Sequence, residues 1–155
     1  SKVNLRKENV HLPSGNAAVD VQAYDKAIHD AGGIDIQLLG IGRNGHIGFN
    51  EPAEEFTYGT HVVTLTADTI EANARFFKSA DEVPRQAVSM GIGNIMAAKC
   101  VVLVATGENK AQAVYDTIRG PITPHVPASI LQLHDEVSVV ADEAALSRII
   151  KEGLI

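Results

Sequence analysis

The sequence contains no tryptophan, only 5% aromatic residues and a single cysteine, Cys100. One cysteine cannot form a disulfide within the chain, which favours a reducing compartment, and we expect a cytoplasmic protein. Cys100 stands in the run Lys-Cys-Val-Val-Leu-Val and is interpreted as a small buried residue of a strand. Because 45% of the residues are hydrophobic but few are aromatic, the core must be built from aliphatic side chains, as is typical of α/β domains.

The chain also lacks an excess of positive charge and a long apolar segment. Its formal net charge is −6, whereas phosphate-rich partners select a basic face, so neither a nucleic acid nor a membrane surface is an expected partner. Apolar runs such as residues 101–105 are far shorter than the roughly 20 residues that span a bilayer. His, Cys, Asp and Glu do not cluster at metal-ligand spacing, so neither a metal nor a cofactor is predicted.

Strand-like and helix-like segments alternate along the chain, whose 155 residues fit one domain. β-Branched and aliphatic runs predict strands, and apolar residues at helical spacing predict helices. The predicted strands are residues 34–39, 60–66, 87–90, 99–105 and 136–141, and the predicted helices or helical turns are residues 17–31, 68–77, 94–97, 108–118, 128–133 and 143–152. This order indicates right-handed crossovers, and hence an α/β fold with a mostly parallel sheet and helices on both faces.

A glycine-rich loop, residues 40–51, follows the first predicted strand. In open α/β sheets, ligands bind in the crevice outside the carboxyl ends of the strands, which is where this loop should lie. Gly40, Gly42 and Gly45 allow a close approach of the backbone to a ligand, although glycines in such a loop can equally serve as turn formers.

Three polar residues of this loop could transfer a proton. His46 lies two residues after Asn44 and five residues before Glu51. An imidazole can take a proton from a sugar hydroxyl and return it to a ring oxygen if a carboxylate orients the ring. Taken alone, one histidine and one glutamate in a loop also fit a solvated or structural role.

Two cations stand where they could hold an anion. Lys110 lies near the start of a helix that follows a strand and Gly107, where free amides and the helix dipole favour negative charge. Arg75 lies on a predicted helix beside two phenylalanines. By position alone, each could also be an ordinary surface charge.

Residues 40–52, which read Gly-Ile-Gly-Arg-Asn-Gly-His-Ile-Gly-Phe-Asn-Glu-Pro, resemble the signature of the glucosamine-6-phosphate deaminase family. The resemblance continues through residues 73–77, 83–84, 90–93, 107–110 and 131–134, and so covers nearly the whole chain. It implies a Rossmann-like fold of the deaminase and ribose-5-phosphate-isomerase type. It also implies the conversion of glucosamine 6-phosphate and water to fructose 6-phosphate and ammonium.

The resemblance assigns roles to individual residues. His46 would be the base that opens the pyranose ring, with Asn44 and Glu51 in its hydrogen-bonding network. Some members of the family have Asp at the position of Asn44; because an amide cannot stabilise an imidazolium by charge, Glu51 is expected to be the anionic partner and Asn44 an orienting group. Arg75 and Lys110 match phosphate-binding positions. The glycines Gly40, Gly42 and Gly45 would complete a site for a small sugar phosphate.

Two family motifs are absent from the chain: an Asp-Glu-Tyr segment whose Asp removes the proton from C2 of the sugar, and a Thr-Gly-Gly phosphate loop. We therefore interpret residues 1–155 as the C-terminal portion of a single deaminase domain whose N-terminal strands are missing. Such a portion should be inactive alone. It should also expose apolar strand edges, which favours self-association, and a homo-oligomer is an option.

Two alternative functions remain open at the level of sequence. A 6-phosphogluconolactonase shares the fold and a similar loop, although residues 47–52 favour the deaminase. A non-catalytic module that binds sugar phosphates would need only Arg75 and Lys110. The upstream reading frame would separate an enzyme portion from a binding module.

Overall fold

The computed structural model describes residues 4–15 and 17–153. Along them lie five helices and five strands, which alternate except that the first two strands are consecutive, and several short 3-10 helices. The helices are α1 (Ala17–Asp30), α2 (Ala67–Asn73), α3 (Ile92–Met96), α4 (Ala111–Arg119) and α5 (Ser147–Lys151). The strands are β1 (Ile36–Gly40), β2 (His61–Thr64), β3 (Gln86–Ser89), β4 (Cys100–Ala105) and β5 (Val137–Ala141). The 3-10 helices are Lys7–Asn9, Ala74–Phe76, Ala80–Glu82, Glu108–Lys110 and Pro127–Leu133.

β1, β4 and β5 form a parallel sheet in the order β1-β4-β5. In its register Leu39 lies beside Leu103, and Leu103 beside Val139. Because side chains alternate between the two faces of a strand, Leu39 and Leu103 point to the same face, where both are buried. The helices that follow β3, β4 and β5 cover this face and contribute Ile95, Val114 and Ile149 to the aliphatic core.

The opposite face of the sheet is open among the described residues. Ile36 and Leu38 on β1 are 67% and 66% exposed, and Val104 and Val140, which pair with each other on the same face, are also exposed. Cys100 lies on β4 as predicted, but it is only half-buried because it sits on this open face beside Ile36. Apart from Cys100, Ser138 and Gly40, the strand residues on this face are aliphatic, as in a buried sheet surface.

β2 and β3 form a separate antiparallel sheet in which Val62 pairs with Val88. α1 packs against this pair, and Asp25 of α1 accepts hydrogen bonds from Thr60 and Asn94. A small second core of Leu65, Ile70 and Val83 holds α2 beside the antiparallel pair. The antiparallel sheet thereby positions α2 beside the loop that follows β1.

The α/β class and the parallel sheet are confirmed, but details differ from the prediction. The predicted strands over residues 60–66 and 87–90 lie outside the parallel sheet, as β2 and β3. The prediction missed this because the alternation of strands and helices along the chain does not reveal which strands pair. In the part of the chain that the structure describes, helices cover one face of the three-stranded sheet rather than both. Three predicted helices also differ: residues 68–77 divide into α2 and a 3-10 turn, residues 128–133 form a 3-10 helix, and residues 143–152 are helical only over α5. None of the described helices is long and apolar enough to cross a bilayer.

Candidate active site

The loop that leaves the carboxyl end of β1 folds back on itself at residues 42–46. The Gly42 amide donates to the carbonyl of His46 at 2.9 Å, and the Gly45 amide donates to the carbonyl of Gly42 at 3.1 Å. Gly45 has a φ of +83°, which favours glycine at this turn. A Cβ on Gly42 would lie 2.3 Å from Nδ1 of His46 and 2.7 Å from Oδ1 of Asn44. The turn therefore brings the two polar side chains together over a glycine that leaves them room.

Asn44 connects Glu51 to His46. Its Nδ2 donates to Oε2 of Glu51 at 2.8 Å, and its Oδ1 lies 2.8 Å from Nδ1 of His46. Because Nδ2 is committed to the carboxylate, Oδ1 must be the atom that faces the imidazole. An amide oxygen only accepts, so Nδ1 of His46 carries the proton and Nε2 keeps its lone pair. In its neutral form, the imidazole is therefore held in the tautomer that a general base requires.

Glu51 is buried and charged. Its side chain is 5% exposed and its Oε2 lies 3.4 Å from Nδ1 of His46. Burial alone would raise its pKa, but hydrogen bonds with His46, Thr69 and Asn44, together with the charge of His46, outweigh burial and lower the pKa to about 2. The carboxylate is therefore ionised at neutral pH, and its charge would stabilise an imidazolium at His46.

Arg75 and Lys110 line a common cavity of about 380 Å³. From their positions in the chain alone, the two residues could not be placed side by side. Arg75 lies in the 3-10 turn after α2 and stacks on Phe76, with 4.7 Å between its guanidinium carbon and the ring centroid. Burial, then the charges of Arg43 and Arg75, lower the pKa of Lys110, although Asp68 acts in the opposite direction. Among the described residues, neither cation lies within salt-bridge distance of a carboxylate. Two cations that form no ion pair with the described carboxylates, at one cavity, suit an anion.

The amide of Gly107, which precedes the helix start near Lys110, is not free. The Gly107 N–H donates to both carboxylate oxygens of Asp142 at 3.0 Å. Gly107 has a φ of +89°, which aims its amide at the loop after β5. The adjacent Thr106 and Asn109 do line the cavity and are its uncharged donors. The helix start therefore contributes side chains, whereas the Gly107 amide serves a structural contact.

The three glycines proposed for substrate binding have different surroundings. A Cβ on Gly40 would meet nothing within 4 Å, whereas one on Gly45 would lie 2.7 Å from Val126. The carbonyl of Gly45 also accepts from the amide of Ala128 at 2.9 Å, which ties the loop to the 3-10 helix Pro127–Leu133. None of Gly40, Gly42 and Gly45 lines the cavity between Arg75 and Lys110.

Two contacts of α2 were not anticipated from the sequence. Arg43 lines the cavity and binds Asp68 of α2, with Nη2 2.5 Å from Oδ1 and Nε 3.2 Å from Oδ2. The hydroxyl of Thr69 lies 3.4 Å from Nδ1 of His46. Thr66 caps α2 by accepting from the amide of Thr69, but nothing in the sequence shows that this helix start faces His46.

No group of three or more His, Cys, Asp or Glu side chains that could hold a metal occurs among the described residues.

Residues 1–140 match the protein family described as glucosamine-6-phosphate isomerases/6-phosphogluconolactonase. The chain belongs to this family. It is 58% identical over 150 residues to a glucosamine-6-phosphate deaminase of Clostridioides difficile strain 630, a match that covers 95% of this chain and 60% of that protein. The chain thus spans about 60% of the length of the curated relatives that it matches.

Solved structures of the family agree with the fold. A monomeric glucosamine-6-phosphate deaminase superposes with a TM-score of 0.85 at 47% identity, over 88% of this chain and 58% of that one. A 6-phosphogluconolactonase from Trypanosoma cruzi superposes with a TM-score of 0.63 at 21% identity, over 92% of this chain and 56% of that one. The second likeness shows a shared fold alone. Curated relatives that are 51–58% identical to this chain are named glucosamine-6-phosphate deaminase.

Proposed function

We propose that this chain is the C-terminal portion of a glucosamine-6-phosphate deaminase, which converts glucosamine 6-phosphate and water to fructose 6-phosphate and ammonium. The observation that carries the proposal is the loop of residues 41–51. This loop holds the His46 imidazole against Asn44 and Glu51, and it also contributes Arg43 to the cavity of Arg75 and Lys110. A base beside an anion cavity suits a phosphorylated sugar. The high identity to deaminases supports the choice of reaction.

In the proposed ring opening, Nε2 of His46 accepts the proton of the C1 hydroxyl while the bond between C1 and the ring oxygen breaks. The imidazolium then delivers that proton to the ring oxygen, which leaves an open-chain aldehyde. Glu51 stabilises the transient positive charge of the imidazole. Asn44 accepts a hydrogen bond from Nδ1, so that this nitrogen keeps its proton while Nε2 reacts. No proton is gained or lost overall in this step.

The phosphate of the substrate would bind between Arg75 and Lys110. A phosphate dianion would also replace the solvation that Lys110 loses by burial, since an opposite charge favours the charged form of a lysine. Binding of the phosphate at a fixed cavity would hold the sugar ring at a set distance from His46. In this way, binding energy at the phosphate would contribute to the reaction at C1.

Isomerisation also needs a base that removes the proton from C2. The resemblance to the family places this base in an Asp-Glu-Tyr segment, which the 155 residues do not contain. We therefore assign it to a segment of the parent protein outside this sequence, consistent with the 60% of relative length that the chain spans. On this proposal the 155 residues alone do not turn over substrate.

The proposal also covers partners and location. The partner is a small sugar phosphate, and the net charge of −6 disfavours nucleic acid. We place the protein in the cytoplasm because a single cysteine needs no oxidising compartment. A second copy of the chain is proposed as a partner only for the isolated 155 residues, whose sheet face is open.

The decisive experiment is the release of ammonium from glucosamine 6-phosphate by the full-length parent and its His46→Gln variant. We expect turnover to fall by at least about a hundredfold while the Michaelis constant changes little, because proton transfer is lost and phosphate binding is retained. His29→Gln is the matched control, since the His29 side chain is 90% exposed. A parent that hydrolyses 6-phosphogluconolactone and releases no ammonium would instead support the lactonase, and a parent inactive on both would support a binding module.

A further inference from the structure

The cavity that contains Arg75 and Lys110 has a third positive charge on its wall. Arg43, from the loop after β1, lines the cavity as well, so that three of its seven lining residues are cations. Glu71 is the acidic residue among these seven, and its side chain is 81% exposed, so that solvent weakens its effect. Like charges around one cavity repel each other and destabilise the folded chain, whereas an anion between them removes this repulsion.

The contacts of Arg43 occupy one side of its guanidinium. Nη2 lies 2.5 Å from Oδ1 of Asp68 and Nε lies 3.2 Å from Oδ2, so the aspartate binds the side that these two nitrogens form. Oε2 of Glu71 lies 3.8 Å from the same Nη2. Nη1, which carries two further N–H donors, forms no hydrogen bond or ion pair with another described residue. Asp68 therefore fixes the plane of the guanidinium and leaves Nη1 available to a ligand of the cavity.

The charge of Arg43 also acts on Lys110 across the cavity. Burial is the largest of the effects on the pKa of Lys110 and lowers it, and the charge of Arg43 comes next, ahead of the charge of Arg75. Asp68 acts in the opposite direction. Because the interaction between two charges weakens with distance, this order agrees with a position of Arg43 beside Lys110 on the same wall.

We propose that Arg43 is a third phosphate-binding residue, whose Nη1 donates to a phosphate oxygen while Asp68 holds its Nε and Nη2. The proposal rests on the proposed function for the identity of the ligand, a sugar phosphate. A phosphate group has three terminal oxygens that accept hydrogen bonds, so it can contact Arg43, Arg75 and Lys110 at the same time. Since Asp68 binds a different side of the guanidinium, the ion pair persists when the phosphate binds.

Of the three cations, Arg43 is the one on the loop that carries His46. It follows Gly42, whose amide donates to the carbonyl of His46, and it precedes Asn44, whose Oδ1 lies 2.8 Å from Nδ1 of His46. The other two cations belong to 3-10 turns elsewhere in the chain. Arg43 thus connects the phosphate to the same loop as the imidazole, whereas the other cations connect it to neighbouring elements.

The test compares the full-length parent with its Arg43→Gln, Arg43→Lys and Arg85→Gln variants. Glutamine removes the charge of Arg43, whereas lysine retains it. Arg85→Gln is the matched control, because Arg85 is also paired with an aspartate, Asp81, and does not line the cavity. The first readout is the dissociation constant of inorganic phosphate, measured by isothermal titration calorimetry, which needs no turnover. The second is turnover and the Michaelis constant for glucosamine 6-phosphate, and the third is the ¹⁵N chemical shifts of the His46 ring.

We expect Arg43→Gln to raise both the dissociation constant of phosphate and the Michaelis constant by about tenfold or more, because a charge-assisted hydrogen bond is lost. Turnover should stay within about threefold of wild type and the His46 ring shifts should not change, since the side chain of Arg43 makes no contact with the imidazole. Arg43→Lys should recover part of both losses, and Arg85→Gln should alter neither constant.

Three results would overturn the inference: phosphate binding by Arg43→Gln within about twofold of wild type, no recovery in Arg43→Lys, or a loss of turnover at an unchanged Michaelis constant. The last result would mean that Arg43 acts on the loop of His46 rather than on the phosphate. A parent without deaminase activity would overturn the proposed function, while the affinity for inorganic phosphate would still decide the role of Arg43.

Discussion

At the scale of single residues, the geometry around His46 depends on what Gly42 lacks. The loop has room for two polar side chains because position 42 carries no Cβ, and the nearest atoms to such a Cβ would be those of His46 and Asn44. Its φ is not in the left-handed region, so the requirement for glycine there is one of space rather than of backbone strain. Of the glycines in this loop, Gly42 is thus the one that directly affects the positions of His46 and Asn44.

Gly42→Ala should displace the imidazole and break its contact with Asn44. We expect the free energy of unfolding to fall by about 1–3 kcal/mol, as in other cases of overpacking, together with altered ¹⁵N shifts of the His46 ring. Gly40→Ala is the comparison, since its added methyl group would meet nothing within 4 Å. Equal stabilities and unchanged ring shifts in the two variants would contradict this account of the loop.

Glu51 makes the stability of the protein depend on pH. Its pKa of about 2 lies below the value of 4.5 that it has without neighbours. Because the folded protein holds the proton less tightly than the unfolded chain, the stabilisation is complete above about pH 4.5 and is lost as the pH falls toward 2. Denaturant unfolding of wild type and Glu51→Gln should therefore differ at pH 7 and converge at low pH. Glu54→Gln, at an exposed position, should show no such convergence.

At the scale of elements, α2 is the part of the fold that brings the two halves of the site together. Its N-terminal turn meets His46 and Glu51, and its C-terminal end leads into the turn with Arg75. The ion pair between Arg43 and Asp68 connects this helix to the loop on the side of the cavity. A helix of seven residues is too short to be stable alone, so its position depends on these contacts and on the small core around Ile70.

A double-mutant cycle can measure how strongly Arg43 and Asp68 couple α2 to the loop. With Arg43→Gln, Asp68→Asn and the double variant, we expect a coupling energy of about 0.5–1 kcal/mol, because both side chains are partly exposed and salt screens them. The cycle for Lys26 and Asp30, which are paired on α1 at greater exposure, should give less. A coupling no larger than that of the α1 pair would show that Arg43 does not position α2.

At the scale of the whole molecule, the parallel sheet has one covered face and one open face. The open face presents Ile36, Leu38, Val104 and Val140, which is the composition of a buried sheet surface. The match to a curated relative covers only 60% of that protein's length, so the relative contains a further segment that this chain does not match. If such a segment packs on the open face in the full-length protein, this would explain why the face is largely aliphatic.

The isolated 155 residues should therefore self-associate through this face. Static light scattering is expected to show masses above the 16.5 kDa of one chain, and Leu38→Lys should reduce them by placing a charge at the centre of the face. Lys26→Gln on α1, which packs against β2 and β3 rather than the parallel sheet, is the control for a simple change of charge. A stable monomer of the unmodified chain, or equal association of the Leu38→Lys variant, would contradict the expectation.

The sequence by itself determined the α/β class, the approximate segments and the residues of the loop. Aliphatic strands alternating with helices require a buried sheet, and residues 40–52 carried the family resemblance without reference to any contact. The sequence could also place His46 near Glu51, because the two are five residues apart in an irregular segment. These are short-range properties, which local composition and spacing encode.

The tertiary structure decided the relations between residues far apart in the chain. It placed Arg43 against Asp68, Arg75 beside Lys110 at one cavity, and Thr69 next to His46. It also paired β2 with β3 outside the parallel sheet, and it showed that the Gly107 amide binds Asp142. The physical reason is that such contacts depend on how separate elements pack, and packing is a property of the folded chain that no local pattern records.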